Sequence, residues 1–295
     1  MIETLTDLVP AHAIAEFPVN TFLESIVVDA NNNLFITSHH DGKVFRIGAD
    51  GVIATHATVA GKATGLVLTP DGELLLSGWD EKETSVIWRI ARDGTVELLT
   101  QLPLAIFLNG LTRLDGDNYL IADSYHGAIW ELNVPRKTVS IWLEHPELAR
   151  TSPEEVTPGV NGLKIYDNFL YASNTQKKQL VKIPILADGL AGEPEIFLTG
   201  VNIDDFAFDV EGNLYGTTHV FNSVVKITSD RIVTTIAELQ QGMAGSTALA
   251  FGTSPGDRTS IYVTTNGGMS FPPVTGIESG KVVRLEVGIA GLSLV

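Results

Sequence analysis

Six side chains that can offer an oxygen to a ligand, Glu24, Thr64, Asn109, Asn161, Asp204 and Thr247, recur at intervals of 40, 45, 52, 43 and 43 residues. Each precedes a short apolar segment, the first Ile26-Val27-Val28 and the last Leu249-Ala250-Phe251. If the fold gathers them on one axis, two acids and two amides converge, and like charges at close range disfavour joint ionisation. A hard cation removes that cost. Glu24, Asn109, Asn161 and Asp204 are therefore candidate ligands, with calcium, which takes about six to eight oxygens, as the first expectation. Magnesium, manganese and zinc are the other divalent candidates. Polar residues at strand starts also satisfy backbone donors or line water-filled channels, so a purely structural role stays open for each position taken alone.

The elements that would bring these positions together are legible as a repeat, the feature to seek first. A β-rich run recurs six times, as Leu34–Ser38, Leu74–Ser77, Tyr119–Ala122, Leu170–Ser173, Leu214–Thr217 and Ile261–Thr264. Each copy has an inner apolar strand ahead of it and a further apolar run behind it. Fourth strands follow five copies, at Val52–Val59, Val96–Leu102, Val139–Glu144, Pro194–Leu198 and Ile232–Leu239. The sixth copy lacks one, and His12–Phe17 matches the missing pattern. The spacing predicts an all-β, six-bladed β-propeller, four antiparallel strands per blade, closed by the N-terminal strand completing the last blade, as a single domain over residues 1–295. No amphipathic helical pattern separates the strands, which excludes an α/β fold.

In such a blade the start of the first strand and the end of the second lie on one face. That geometry places His39, Trp79, Tyr125, Asn174, His219 and Asn266 around the rim of the face carrying the six oxygen donors, with His126 and Phe221 close behind. Thr64, Trp79, Phe107, Tyr125, His39 and Thr247 are the expected pocket wall. Rim aromatics also pack on neighbouring blades simply to bury area. His219, fifteen residues after Asp204, is a candidate proton-transfer group. Two long loops, 145–160 and 266–280, fall on the same face, where loops of that length are often functional.

Composition narrows the partners. The 295 residues carry 19 Lys+Arg against 35 Asp+Glu, a net charge of -16, which repels nucleic acid and anionic membranes. There is no cysteine, so disulfides, thiolate metal sites and a Cys nucleophile are excluded. No apolar run is long enough to cross a bilayer and no secretory signal is visible, so a cytoplasmic protein of unspecified oligomeric state is expected.

The stretches Pro158–Lys164, Tyr171–Thr175, Ala122–Gly127, Ala248–Gly252 and Tyr262–Thr265 resemble, in order and blade spacing, the senescence-marker-protein/gluconolactonase-like superfamily. Paraoxonase-type calcium-dependent lactonases are related to it, and strictosidine-synthase-like proteins more distantly. The resemblance implies a divalent metal held by Glu24, Asn161 and Asp204, joined by Asn109 in the paraoxonase-like branch, with His219 similar to a histidine lining the site in some members. Phe107 stands where gluconolactonase-like members carry an arginine for a sugar-acid lactone, so a more apolar lactone or ester is implied. Ser246 and Thr247 occupy the region of the sixth-blade carboxylate used in strictosidine-type condensation, which argues against that reaction.

The expected chemistry is metal-dependent hydrolysis of a lactone or ester, lactonase- or arylesterase-like. Asp204 or His219 would take a proton from water, Asn109 would assist, and Asp205 would orient the ligands from behind. The rivals are a non-catalytic propeller that binds a ligand or protein through the same face, and a biosynthetic enzyme catalysing a non-hydrolytic step such as cyclisation.

Overall fold

A computed structural model describes residues 5–292. It has the all-β fold anticipated from the repeat, a six-bladed β-propeller of four-stranded antiparallel blades. Blade 1 comprises Leu23–Val28, Leu34–Ser38, Lys43–Ile47 and Ile53–Thr58. Blade 2 comprises Gly61–Leu68, Leu74–Asp80, Ser85–Ile90 and Val96–Gln101. In blade 3 the strands are Leu108–Asp115, Asn118–Asp123, Ala128–Asn133 and Thr138–Glu144. Blade 4 is built from Val160–Tyr166, Phe169–Asn174, Gln179–Pro184 and Glu195–Thr199.

Blade 5 runs Phe206–Phe208, Leu214–Thr218, Ser223–Ile227 and Val233–Ala237, and gains a fifth, parallel strand from Leu5–Thr6. That extra strand was not anticipated: two residues carry no periodicity to read. Blade 6, with Ser246–Phe251, Ser260–Thr265 and Ser279–Glu286, is completed by Ala11–Val19, antiparallel to Ser279–Glu286. The N-terminal strand therefore closes the last blade as the spacing required. Among the described residues two short 3-10 turns, His219–Phe221 and Leu239–Gln241, interrupt the β structure, and no helix is long and apolar enough to cross a membrane.

Contacts divide the chain into two compact units, one holding blades 2 to 4 (Val59–Asp204) and the other blades 5, 6 and 1. Within each unit, apolar cores fill the space between neighbouring blades. Leu75, Ile87, Leu111 and Ile121 pack blade 2 on blade 3; Leu120, Ile129, Leu163 and Leu170 pack blade 3 on blade 4. Val224, Leu249 and Val263 join blade 5 to blade 6, and Ile26, Ile36, Ala248 and Val282 join blade 6 to blade 1. The first turn of a blade is held by an Asx motif: Asp29 Oδ1 accepts the N–H groups of Asn31 and Asn33 at 2.9 and 2.8 Å, and Asp209 Oδ1 those of Glu211 and Asn213.

Candidate functional site

The candidate positions share a local backbone feature. The pairing of first and second strands slips between Leu23 and Ile26, Ala63 and Leu66, Leu108 and Leu111, Val160 and Leu163, and Ser246 and Ala248. Glu24, Thr64, Asn109, Asn161 and Thr247 each lie inside one of these irregularities. A β-bulge frees a residue from the ladder and re-aims its side chain, so one device, repeated, turns these positions out of the regular alternation.

Buried hydroxyls fix the bulges. In five blades a second-strand hydroxyl accepts an N–H from the first strand or the residue leading into it: Thr37 from Ser25, Ser77 from Gly65, Ser173 from Gly162, Thr217 from Asp205 and Thr264 from Ala248, at 2.9 to 3.3 Å. Three of those hydroxyls also donate to the next blade. Ser77 reaches the carbonyl of Asn109 at 2.8 Å, Ser173 that of Asp204 at 2.9 Å and Thr217 that of Thr247 at 2.8 Å. The inner strands approach so closely that a Cβ on Gly65 would lie 2.1 Å from the Asn109 carbonyl oxygen, and one on Gly110 2.6 Å from that of Asn161. Sequence reasoning missed these serines and threonines, although their recurrence at one register of the second strand was the signal available.

In the unit of blades 2 to 4, Asn161 and Asp204 meet. The Asn161 amide nitrogen donates to Thr175 Oγ1 at 3.0 Å and lies against Asp204 Oδ1, and both residues are buried. Thr175 spends its own proton on the Ile203 carbonyl, so it must accept from Asn161, which fixes the amide orientation. Asn109 is held likewise: its amide nitrogen faces Ser124 Oγ at 3.3 Å, and Ser124 donates to the Val160 carbonyl. Both amides thus commit nitrogen to a hydroxyl and leave the oxygen as the atom to meet a ligand. Among the described residues no group of three or more His, Asp or Glu side chains is placed to hold a metal. A cation here would depend on amide oxygens and a carboxylate, a hard donor set that fits calcium or magnesium better than zinc.

The same unit carries a row of rings. Trp79 and Phe107 centroids are 4.6 Å apart, Phe107 and Tyr125 5.0 Å, and the Arg150 guanidinium stacks 3.9 Å over Tyr125. All three rings are half-buried, beside Leu104 and Ile106, which are 77% and 52% exposed. Fully buried Asp123 fixes the Phe107 segment, one oxygen accepting the Phe107 N–H at 2.9 Å and the other the Ile106 N–H at 2.9 Å and Trp130 Nε1. Loop 145–160 is stitched down: Asn174 donates to the carbonyls of Glu147 and Ala149, and Tyr125 Oη to that of Val156. The hydrogen bond from Gln179, against some burial and with the charge of Lys177, holds the Glu147 carboxyl below its ordinary range.

The unit of blades 5, 6 and 1 contains Glu24, His39, His219 and Thr247. Glu24 is half-buried in its bulge, and Thr247 Oγ1 donates to the Leu23 carbonyl at 2.9 Å. Phe22 brings His39 and His219 near each other, its ring 5.6 Å from the first and 6.1 Å from the second. His219 Nε2 faces the Asn266 side-chain nitrogen at 2.8 Å.

No family profile matches the chain. A curated protein from Phoma sp., provisionally named a hetero-Diels-Alderase, is 23% identical over 87% of this chain and 87% of its own length. Among solved structures, a calcium-binding protein, regucalcin, from Agrobacterium tumefaciens superposes with a TM-score of 0.74 at 16% identity, covering 98% of this chain and 97% of its own. A gluconolactonase from Xanthomonas campestris gives 0.70 at 14% identity, over 94% and 89%. The likeness establishes a shared fold: this chain has the six-bladed architecture of the gluconolactonase-like proteins.

Proposed function

We propose that the chain hydrolyses a small lactone or ester, with Glu24, Asn109, Asn161 and Asp204 holding a divalent cation, calcium in the first instance. The observation that carries this reading is the Asn161–Asp204 contact, with the Asn161 nitrogen committed to Thr175 and Asp204 and its amide oxygen left as the ligand atom. Lewis acidity toward a carbonyl oxygen is the chemistry such an ion supplies when bound. The Trp79, Phe107 and Tyr125 row would receive the apolar part of the substrate, and Phe107, standing where an arginine binds sugar-acid lactones in the gluconolactonase-like proteins, favours a more apolar one. Of the two candidates for taking a proton from water, His219 already has Nε2 turned to Asn266, which favours Asp204. The fold shared with regucalcin and a gluconolactonase supports this choice of reaction class.

A second reading is favoured by the similarity to the Phoma protein over 87% of the chain: a non-hydrolytic ring closure, in which the aromatic row would hold an apolar substrate folded. The two separate on one experiment. The purified protein is assayed against a panel of aliphatic and aryl lactones and esters, before and after chelation and with calcium restored. Hydrolysis lost on chelation and recovered with calcium is the expected result. Absence of hydrolysis across the panel, together with acceleration of a diene–carbonyl cycloaddition, would replace this reading by the second.

A further inference from the structure

Asn266, at the end of the second strand of blade 6, is fully buried, and its side chain is oriented without ambiguity. Its Oδ1 accepts the backbone N–H of Gly268 at 2.9 Å and of Met269 at 3.2 Å. The reversed amide would set its NH2 against two N–H donors, so the nitrogen must be the atom facing His219 Nε2 at 2.8 Å. An amide NH2 only donates. His219 Nε2 must therefore accept, and the ring proton of the neutral imidazole sits on Nδ1.

The surrounding backbone locks this arrangement. Gly245, at φ 62°, accepts the Asn266 N–H on its carbonyl at 2.9 Å and gives its own N–H to Asn222 Oδ1 at 2.7 Å. Asn222, at φ 53°, ends the turn that carries His219. A Cβ on Gly245 would lie 2.0 Å from Asn266 Oδ1, so only glycine lets the amide sit there. Phe22 and Phe271 flank the imidazole at 6.1 and 6.0 Å, both nearly perpendicular to it.

We propose that Asn266 is a positioning residue that fixes His219 as the Nδ1–H tautomer, so that His219 acts on the substrate as a neutral hydrogen-bond donor to a carbonyl oxygen and not as a base through Nε2. The proposal rests on the reading of this face as a site for carbonyl substrates. No covalent step is involved: the proton stays on Nδ1 while the carbonyl is polarised, a contribution of the kind oxyanion-hole donors make. The anchoring of Asn266 Oδ1 on Gly268 and Met269 also ties the tautomer to the conformation of loop 266–280.

The test is 15N NMR of the imidazole in the intact protein without substrate, with His219→Ala assigning the resonances. A pyridine-like nitrogen at Nε2 and a protonated Nδ1 are expected. Asn266→Asp keeps an oxygen for Gly268 and Met269 but replaces the NH2 by an acceptor, so Nε2 should become protonated; spectrum and activity are compared at a pH where the ring carries a single proton, which must then have left Nδ1. In the same variant kcat should fall about 10²-fold, as on loss of an oxyanion donor, with a much smaller change in KM. A proton on Nε2 in the wild-type protein, or an unchanged kcat in a variant whose spectrum has inverted, would overturn the proposal. Because the spectrum is read without turnover, a correct tautomer in a protein that hydrolyses no lactone or ester refutes the proposed reaction and leaves the assignment of Asn266 intact.

Discussion

Two buried carboxylates on the same face do different work. Asp204 lies against Asn161, with its backbone held by Ser173 and Gly162, so removing its side chain leaves the strand anchored. Asp204→Ala should fold, yet lose calcium binding in calorimetry and all measurable turnover; retention of both would remove Asp204 from the site. Asp123 instead accepts from Ile106, Phe107, His126 and Trp130 and has no exposure. Asp123→Ala strands those donors, and each buried unsatisfied group costs about 1–3 kcal/mol. Denaturant unfolding should therefore register a loss of several kcal/mol, and the Phe107 segment should become protease-sensitive. The places of the oxygen-bearing residues in the strands were legible in the sequence because they recur at blade spacing. Asp123 lay within one of the stretches that carry the family resemblance, yet its task was hidden, since nothing in the chain says which N–H groups will turn inward.

At the scale of the strand, the repeat was readable and the bulge was not. Alternating apolar residues set the blades, but the slip that re-aims Thr64 or Asn161 depends on a serine about a dozen residues away accepting one amide and reaching into the next blade. Ser173→Ala tests this coupling. It removes one of the two acceptors of the Gly162 N–H and one of the two donors to the Asp204 carbonyl, which should cost about 0.5–1.5 kcal/mol in unfolding free energy and weaken cation binding although no proposed ligand is changed. Cation affinity equal to wild type would show that the relay stabilises the blade without shaping the site. Gly65→Ala places a methyl against the Asn109 carbonyl and should destabilise by more than about 2 kcal/mol, seen as a lowered Tm.

On the scale of the whole chain, closure joins the sequence ends: Ala11–Val19 supplies the outer strand of blade 6. Deleting residues 1–19 exposes the edge of Ser279–Glu286 and should yield aggregated protein by light scattering, whereas a monodisperse, folded product would show the strand to be dispensable. Blade 6 meets the first turn of blade 1 through Asp257, which Tyr262, Arg284 and Asn32 all contact. Burial pushes its carboxyl up, but the hydrogen bonds from Tyr262, Arg284 and Asn32 and the charge of Arg284 outweigh it, so the net shift is downward. A carboxyl depressed in the folded state stabilises above its unfolded value, about 3.9, and that contribution is lost as pH falls through the folded value. Asp257→Asn should accordingly flatten the acid limb of the stability profile. The propeller was readable from spacing because six copies of one pattern leave little choice of architecture; the added strand at Leu5–Thr6 was not, because its partner lies more than two hundred residues away. The proposed cation ligation by Glu24, Asn109, Asn161 and Asp204 is tested most directly by titrating calcium into chelator-treated protein by calorimetry, for wild type and for Glu24→Gln, Asn161→Ala and Asp204→Ala. Saturable binding in the wild type that each substitution weakens by at least about tenfold is predicted; wild-type protein that takes up no calcium, or variants that bind it equally well, would contradict the account.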